Sequence, residues 1–172
     1  FYEQAIAPAS ITTLSVPMIL SQVKPEHYNV QDVADNIINL SRTAGFQTHW
    51  YSVQGATGAD ANVVSSVAQY AHYQEWLSGF DVALIDRLKS ALKQPGKKII
   101  FLHTNGSHET ACDRYPDEEK IFTGAKFALD DCYDNSIHYT DKFLQAVFDE
   151  LMDKRAAVVY FSDHALERNE NK

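Results

Sequence analysis

The apolar positions of this chain fall into short segments of two kinds, and the two kinds alternate. Residues 1–10 carry little apolar pattern and predict an extended lead-in ending in Pro8-Ala9-Ser10. Ile11 to Leu20 is largely apolar. Ser10, Thr12 and Thr13 are helix-capping residue types, so a buried helix is predicted there, with Pro17 tolerated if it falls in the first turn. A second helix is predicted from about residue 30 to 43, capped by Asn29 and stopped by Gly45, with Val33, Ile37, Ile38 and Leu40 on one face. Residues 46–53 alternate as a strand does, and Gln54-Gly55-Ala56-Thr57-Gly58 forms a loop at that strand's carboxyl end. Residues 61–76 are predicted mostly helical, and 81–94 form a helix closed by Pro95-Gly96. Residues 97–102 are predicted as a buried strand followed by a long loop over 103–116. The longest helix spans 129–154, with Ile137, Phe143, Leu144, Val147, Phe148 and Leu151 on its buried side. Ala156-Ala157-Val158-Val159-Tyr160-Phe161 closes the set as a last buried parallel strand. Helices alternating with strands, with no repeat or linker, predict one α/β domain over 1–172 with a mainly parallel sheet.

Composition narrows the class. With 172 residues, 45% of them hydrophobic and 22% charged, the chain is long enough to bury a core. No apolar run approaches the ~20 residues that cross a bilayer. The net charge of −8 argues against nucleic acid as a partner, since phosphate backbones demand a basic face. Phe1-Tyr2-Glu3-Gln4 lacks the basic start and apolar block of a secretory leader. Either a cytosolic protein or one starting after a removed segment is expected, and the absence of an initial Met favours the second. Cys112 and Cys132 are either two buried thiols or one disulfide, the latter implying an oxidising compartment.

Candidate chemistry gathers at strand ends. Gln54 follows the first predicted strand. His103, Asn105, Ser107 and His108 follow the second, and Ser162-Asp163-His164 follows the third. Parallel neighbours deliver all three loops to one edge of the sheet, where ligands collect in open α/β folds. Thr12, at a helix start, faces the same cleft in this arrangement, in the positive field of the free helix amides. Asp163 with His164 is a normal part of a zinc ligand set, and a hydroxyl beside such a metal is activated to attack phosphorus or sulfur. Taken singly each piece has a plainer explanation. An Asp-His pair more often closes a turn, Thr12 caps a helix, and His103 is a satisfied core residue. His27, His49, His72 and His138 are expected at the surface or core rim.

Together the segments resemble a known family. Residues 5–17, Ala-Ile-Ala-Pro-Ala-Ser-Ile-Thr-Thr-Leu-Ser-Val-Pro, are similar to the nucleophile segment of the bacterial phosphoethanolamine transferases, in the alkaline phosphatase and sulfatase superfamily. Further matches keep the family's order: Trp50-Tyr51-Ser52-Val53-Gln54-Gly55, Leu102-His103-Thr104-Asn105-Gly106-Ser107-His108, Arg114-Tyr115-Pro116, Tyr133-Asp134-Asn135-Ser136-Ile137 with Tyr139-Thr140-Asp141, and Ser162-Asp163-His164. Glu170-Asn171 falls where the family has Gly-Glu-Asn. The resemblance implies a three-layer fold with helices on both faces of the sheet. It implies that Thr12, five positions before Pro17, is the nucleophile and a metal ligand, and that Asp163 and His164 are zinc ligands. His108, His103 and Gln54 are implied to line the substrate cleft. The implied reaction takes phosphoethanolamine from phosphatidylethanolamine through a phosphothreonine to lipopolysaccharide or a periplasmic glucan. It would occur at the periplasmic face of the inner membrane, in a membrane-anchored parent. A Cys112–Cys132 disulfide then becomes plausible, stapling the His108 loop to the long helix.

Departures from the family pattern set limits. The Gly-Glu that normally follows Asp-His is replaced by Ala165-Leu166. The family's further zinc ligands, a Glu before the nucleophile and a His beyond the last strand, fall outside these residues. The expectation is therefore part of a catalytic domain, binding zinc weakly and turning over little by itself. A phosphoglycerol transferase, sulfatase or phosphodiesterase of the same superfamily, or an inactive scaffold domain, are the alternatives. The sulfatase Cys/Ser-x-Pro-x-Arg motif is missing.

Overall fold

The computed structural model describes residues 3–55, 61–125 and 127–166 of the chain. Its frame is a three-stranded parallel sheet in the order β2-β1-β3, with β1 Gln47–Ser52, β2 Tyr73–Trp76 and β3 Lys98–His103. The central strand is enclosed on both faces, and so its residues Thr48 to Ser52 are all buried. Side chains alternate across a strand. Trp50 accordingly joins one core with Val16, Val33, Ile38, Val64 and Val67, while Tyr51 and Val53 join another with Leu84, Ile85, Leu88, Phe143 and Val147.

Those two cores define three layers. On one face lie α1 (Thr12–Leu20), α2 (Ile37–Thr43) and α3 (Ala61–Ala68); on the other lie α4 (Ala83–Leu92) and α5 (Ala128–Leu151). The α/β class, the parallel sheet and the helices on both faces are as the sequence predicted.

Several local expectations are corrected. The helix predicted over 30–43 is two pieces, a 3₁₀ turn Val30–Ala34 and then α2. Asn29 caps the first by accepting from Gln31 N–H. Asn36 caps the second by accepting from Asn39 N–H, so a second capping residue interrupts what the apolar spacing joined. Of the predicted face, Val33 and Ile38 are buried, whereas Ile37 and Leu40 are exposed. The helix predicted over 61–76 ends at Ala68, and β2 takes its tail. Its burial runs two exposed residues and then two half-buried ones, so no period of two marks it. On α5, Phe143 and Val147 are buried as predicted, but Ile137 and Phe148 are exposed. Pro17 lies beyond the first turn of α1, buried in the helix interior.

The largest correction concerns residues 156–161. They form no strand, and no backbone hydrogen bond joins them to β3 among the described residues; Val159 is 82% exposed. An apolar run becomes a strand only where its backbone reaches an edge to pair on, and this run does not reach one. The β3 edge away from β1 borders a cavity of about 3100 Å³, which Ile99, Phe101, Val158, Val159 and Phe161 all line. For the same reason β3, predicted as buried, is half-buried along its whole length.

Candidate active site

Thr12 is the first residue of α1. The cap position belongs to Ile11, which offers no side-chain hydrogen bond, so the expectation that Ser10, Thr12 or Thr13 caps the helix is not met. The Thr12 hydroxyl is instead left for a distant partner, and its Oγ1 lies 3.2 Å from His164 Nε2 across 152 residues of sequence. The ring is oriented from behind, because His164 Nδ1 is 2.8 Å from the Ala165 carbonyl oxygen. A carbonyl only accepts, so Nδ1 carries a proton and Nε2 is the ring atom turned to Thr12.

Asp163 completes this corner. Its Oδ2 is buried without a hydrogen-bond partner and sits 3.7 Å from His164 Nε2. A carboxylate oxygen withdrawn from water in that way calls for a cation or a donor. Thr12 Oγ1, Asp163 Oδ2 and His164 Nε2 thus form an oxygen, oxygen and nitrogen donor set of the kind zinc takes. The set is partial: among the described residues no three His, Cys, Asp or Glu side chains gather as a metal site. Ser15, fully buried on α1, donates its hydroxyl to the Asp163 carbonyl and so ties the helix to the 162–164 turn. Sequence reading missed Ser15. Its signal was a hydroxyl on a helix face otherwise apolar.

The other predicted residues line the same cavity: Gln54, His103 and His108. His103 ends β3 and packs its ring against Trp50, with centroids 5.4 Å apart. Its Nδ1 is 2.9 Å from Ser52 Oγ, whose own proton goes to the Gln54 carbonyl. Nδ1 is therefore the donor and Nε2 the acceptor. Withdrawal from water pushes the His103 pKa down to about 4, against an opposing pull from the Asp163 charge. Gln54 commits its side-chain N–H to the Thr104 carbonyl at 2.7 Å, joining the loops after β1 and β3. His108 is exposed and donates from Nδ1 to the Glu109 carbonyl at 2.6 Å. The Arg114 guanidinium donates to the carbonyls of His108 and Glu109, which gives the Arg114-Tyr115-Pro116 stretch a task in shaping this loop.

Cys112 and Cys132 form a disulfide that fixes the loop beyond His108 to the first turns of α5. His49, expected at the core rim, is fully buried, with Nδ1 2.9 Å from Tyr51 Oη. Glu170-Asn171 lies outside the described residues.

The sulfatase family model matches residues 1–172. The chain belongs to the sulfatase family. It is 45% identical to YhbX of Escherichia coli (strain K12), named provisionally as a transferase, over 99% of this chain and 32% of that protein. Against the phosphoethanolamine transferase OpgE of the same strain it is 32% identical, over 94% of this chain and 32% of OpgE. The chain therefore spans about a third of the length of these curated relatives. Among solved structures, the periplasmic domain of the phosphoethanolamine transferase EptC from Campylobacter jejuni superposes with a TM-score of 0.69 at 28% identity, over 86% of this chain and 50% of that one. The zinc complex of the Escherichia coli EptC periplasmic domain, at 17% identity and TM-score 0.69, shares the fold over 85% of this chain and 47% of that one. The sulfatase-like fold implied by the sequence resemblance is thereby established.

Proposed function

We propose that this chain is the part of a phosphoethanolamine transferase that carries the nucleophile Thr12 and one arm of a zinc site, Asp163 and His164. The observation that carries this reading is the Thr12 Oγ1–His164 Nε2 approach of 3.2 Å beside the unpartnered Asp163 Oδ2. Kinship with OpgE supports the choice of group transferred. Within the reading, the donor is phosphatidylethanolamine, and the acceptor is a lipopolysaccharide or glucan hydroxyl. The parent chain is anchored in the inner membrane with this domain on its periplasmic side.

The chemistry is a double displacement. Thr12 Oγ1 gives up its proton and bonds to the donor phosphorus while the phosphorus–oxygen bond to the glycerol breaks; the departing alkoxide takes up, in net balance, the proton Thr12 lost and leaves as diacylglycerol. An acceptor hydroxyl then bonds to phosphorus, and Thr12 leaves and regains its proton. Thr12, Asp163 and His164 would hold a zinc ion, which would supply a lowered hydroxyl pKa and stabilisation of charge on the phosphoryl oxygens. The amides at the start of α1 act on the same oxygens through the helix field. His103, kept neutral, offers an acceptor to the cleft, and His108 stands at its exposed rim.

The test uses the full-length parent protein, incubated separately with labelled phosphatidylethanolamine and phosphatidylglycerol. A phosphoethanolamine mass on the Thr12 peptide, absent in Thr12→Ala, is expected. Label from phosphatidylglycerol alone overturns the assignment in favour of a phosphoglycerol transferase. The 172-residue chain by itself is expected to bind zinc only weakly, and tight stoichiometric binding in calorimetry contradicts a shared metal shell.

A further inference from the structure

Asp81 is a carboxylate the proposed chemistry does not use, and it lies where α4 begins, 3% exposed. A buried carboxylate requires donors, and this one finds both in a single loop: Asn105 N–H at 2.8 Å on Oδ1 and Gly106 N–H at 2.9 Å on Oδ2. Gly106 has φ +54°, so the backbone turns there and consecutive amides converge on one anion. Those two residues are the middle of the segment from His103 to His108. His108 N–H donates in turn to the Asn105 carbonyl at 3.2 Å, and the Asn105 side chain reaches the Val53 carbonyl at 3.4 Å. Asp81 does not line the main cavity. It borders a separate one of about 150 Å³ with Phe80, Asn105, Asp113 and Arg114.

We propose that Asp81 is a positioning residue, which sets the places of His103 and His108 in the cleft by gripping the backbone between them. This rests on the transferase reading for its catalytic consequence, though not for the grip itself. The loop is held from two sides, by Asp81 on the backbone amides and by Arg114 on the carbonyls of His108 and Glu109. Burial raises the Asp81 pKa, while the two amides and then the Arg114 charge lower it. Asparagine is nearly isosteric but turns one acceptor into an N–H that faces another N–H, so one of the two amides loses its partner.

The experiment compares Asp81→Asn with wild type in the full-length parent, with Asp81→Ser as the second variant where the first does not accumulate. Donor-lipid kinetics, Thr12 adduct mass and hydrogen exchange by peptide are measured together. The expected result is a fall of about tenfold or more in kcat with KM changed less than about threefold, and faster exchange confined to 103–108. Unchanged kcat overturns the proposal. So does faster exchange through β1 and β3 with kcat per folded molecule unchanged, because that marks a merely structural role. If wild type forms no Thr12 adduct, the transferase reading fails instead. Exchange over 103–108 then decides the grip alone: faster exchange in the variant upholds it, and unchanged exchange overturns it.

Discussion

His103 shows how much one position decides in this cleft. The unfolded chain leaves its imidazole with an ordinary pKa near 6.5, whereas burial in the fold lowers that to about 4. Between these values the unfolded chain binds more protons, so stability rises with pH across the window and is lost as pH falls through it. We expect His103 to cost on the order of 1–2 kcal/mol of stability on going from pH 7.5 to 5, and His103→Gln to remove that part of the slope. Urea midpoints of both proteins at the two pH values test it; identical slopes reject it. Asn135 makes a complementary case. It is fully buried with its amide wholly employed, accepting from Ile121 and Phe122 N–H and donating to the Phe122 and Asp131 carbonyls. Alanine there removes four side-chain bonds to backbone, so a loss of about 2–4 kcal/mol is expected by chemical denaturation. A loss below about 1 kcal/mol would mean that water replaces the amide.

At the scale of elements, the same accounting explains what the sequence made legible. Long periodic segments were readable because a helix face or a buried strand imposes its period over many residues: α4, α5, β1 and β3 are all where the pattern placed them. The break before α2 was not, because it depends on which of two capping Asn residues, Asn29 and Asn36, the chain uses. Residues 156–161 were misread because strand composition says nothing about whether the run comes within reach of a partner edge. In the candidate site, Thr12, Asp163 and His164 were singled out by motif order, and the structure brings them together. Ser15, Ser52 and Asp81 went unseen because they act on backbone or through a neighbour, and such service leaves no motif. Cys112 and Cys132 were readable only as a pair of alternatives, which the bond now resolves. Their bridge spans 20 residues, and closing a loop of that size in the unfolded chain stabilises by about 3 kcal/mol. Reduction should lower the denaturation midpoint correspondingly and speed exchange near 108–116. An unchanged midpoint would mean the loop is held without the bridge, by Arg114 and Asp81.

For the molecule as a whole, the controlling feature is the face where the sheet stops. Among the described residues β3 pairs on one side only, and the cavity beside it carries Leu129, Tyr133 and Ile137 from α5 together with Val158 to Phe161, all of them exposed. Monomeric proteins seldom expose so much contiguous apolar surface, and an unpaired parallel edge is a template for another chain. Net charge works against association, since copies carrying −8 repel and salt screens that repulsion. The 172-residue chain is therefore expected to associate across the micromolar range, more strongly as salt rises, and to bind an apolar dye. Val159→Lys places a charge on the most exposed position of the run, 82% accessible, without touching either buried core. It should reduce both association and dye binding while leaving the thermal midpoint within about 2 °C, because surface changes of this kind shift stability by only about 0.5 kcal/mol. Light scattering at low and high salt checks the outcome. A monomer at every salt concentration, with no dye bound, would mean that residues 156–161 cover the β3 edge in solution and narrow the cleft.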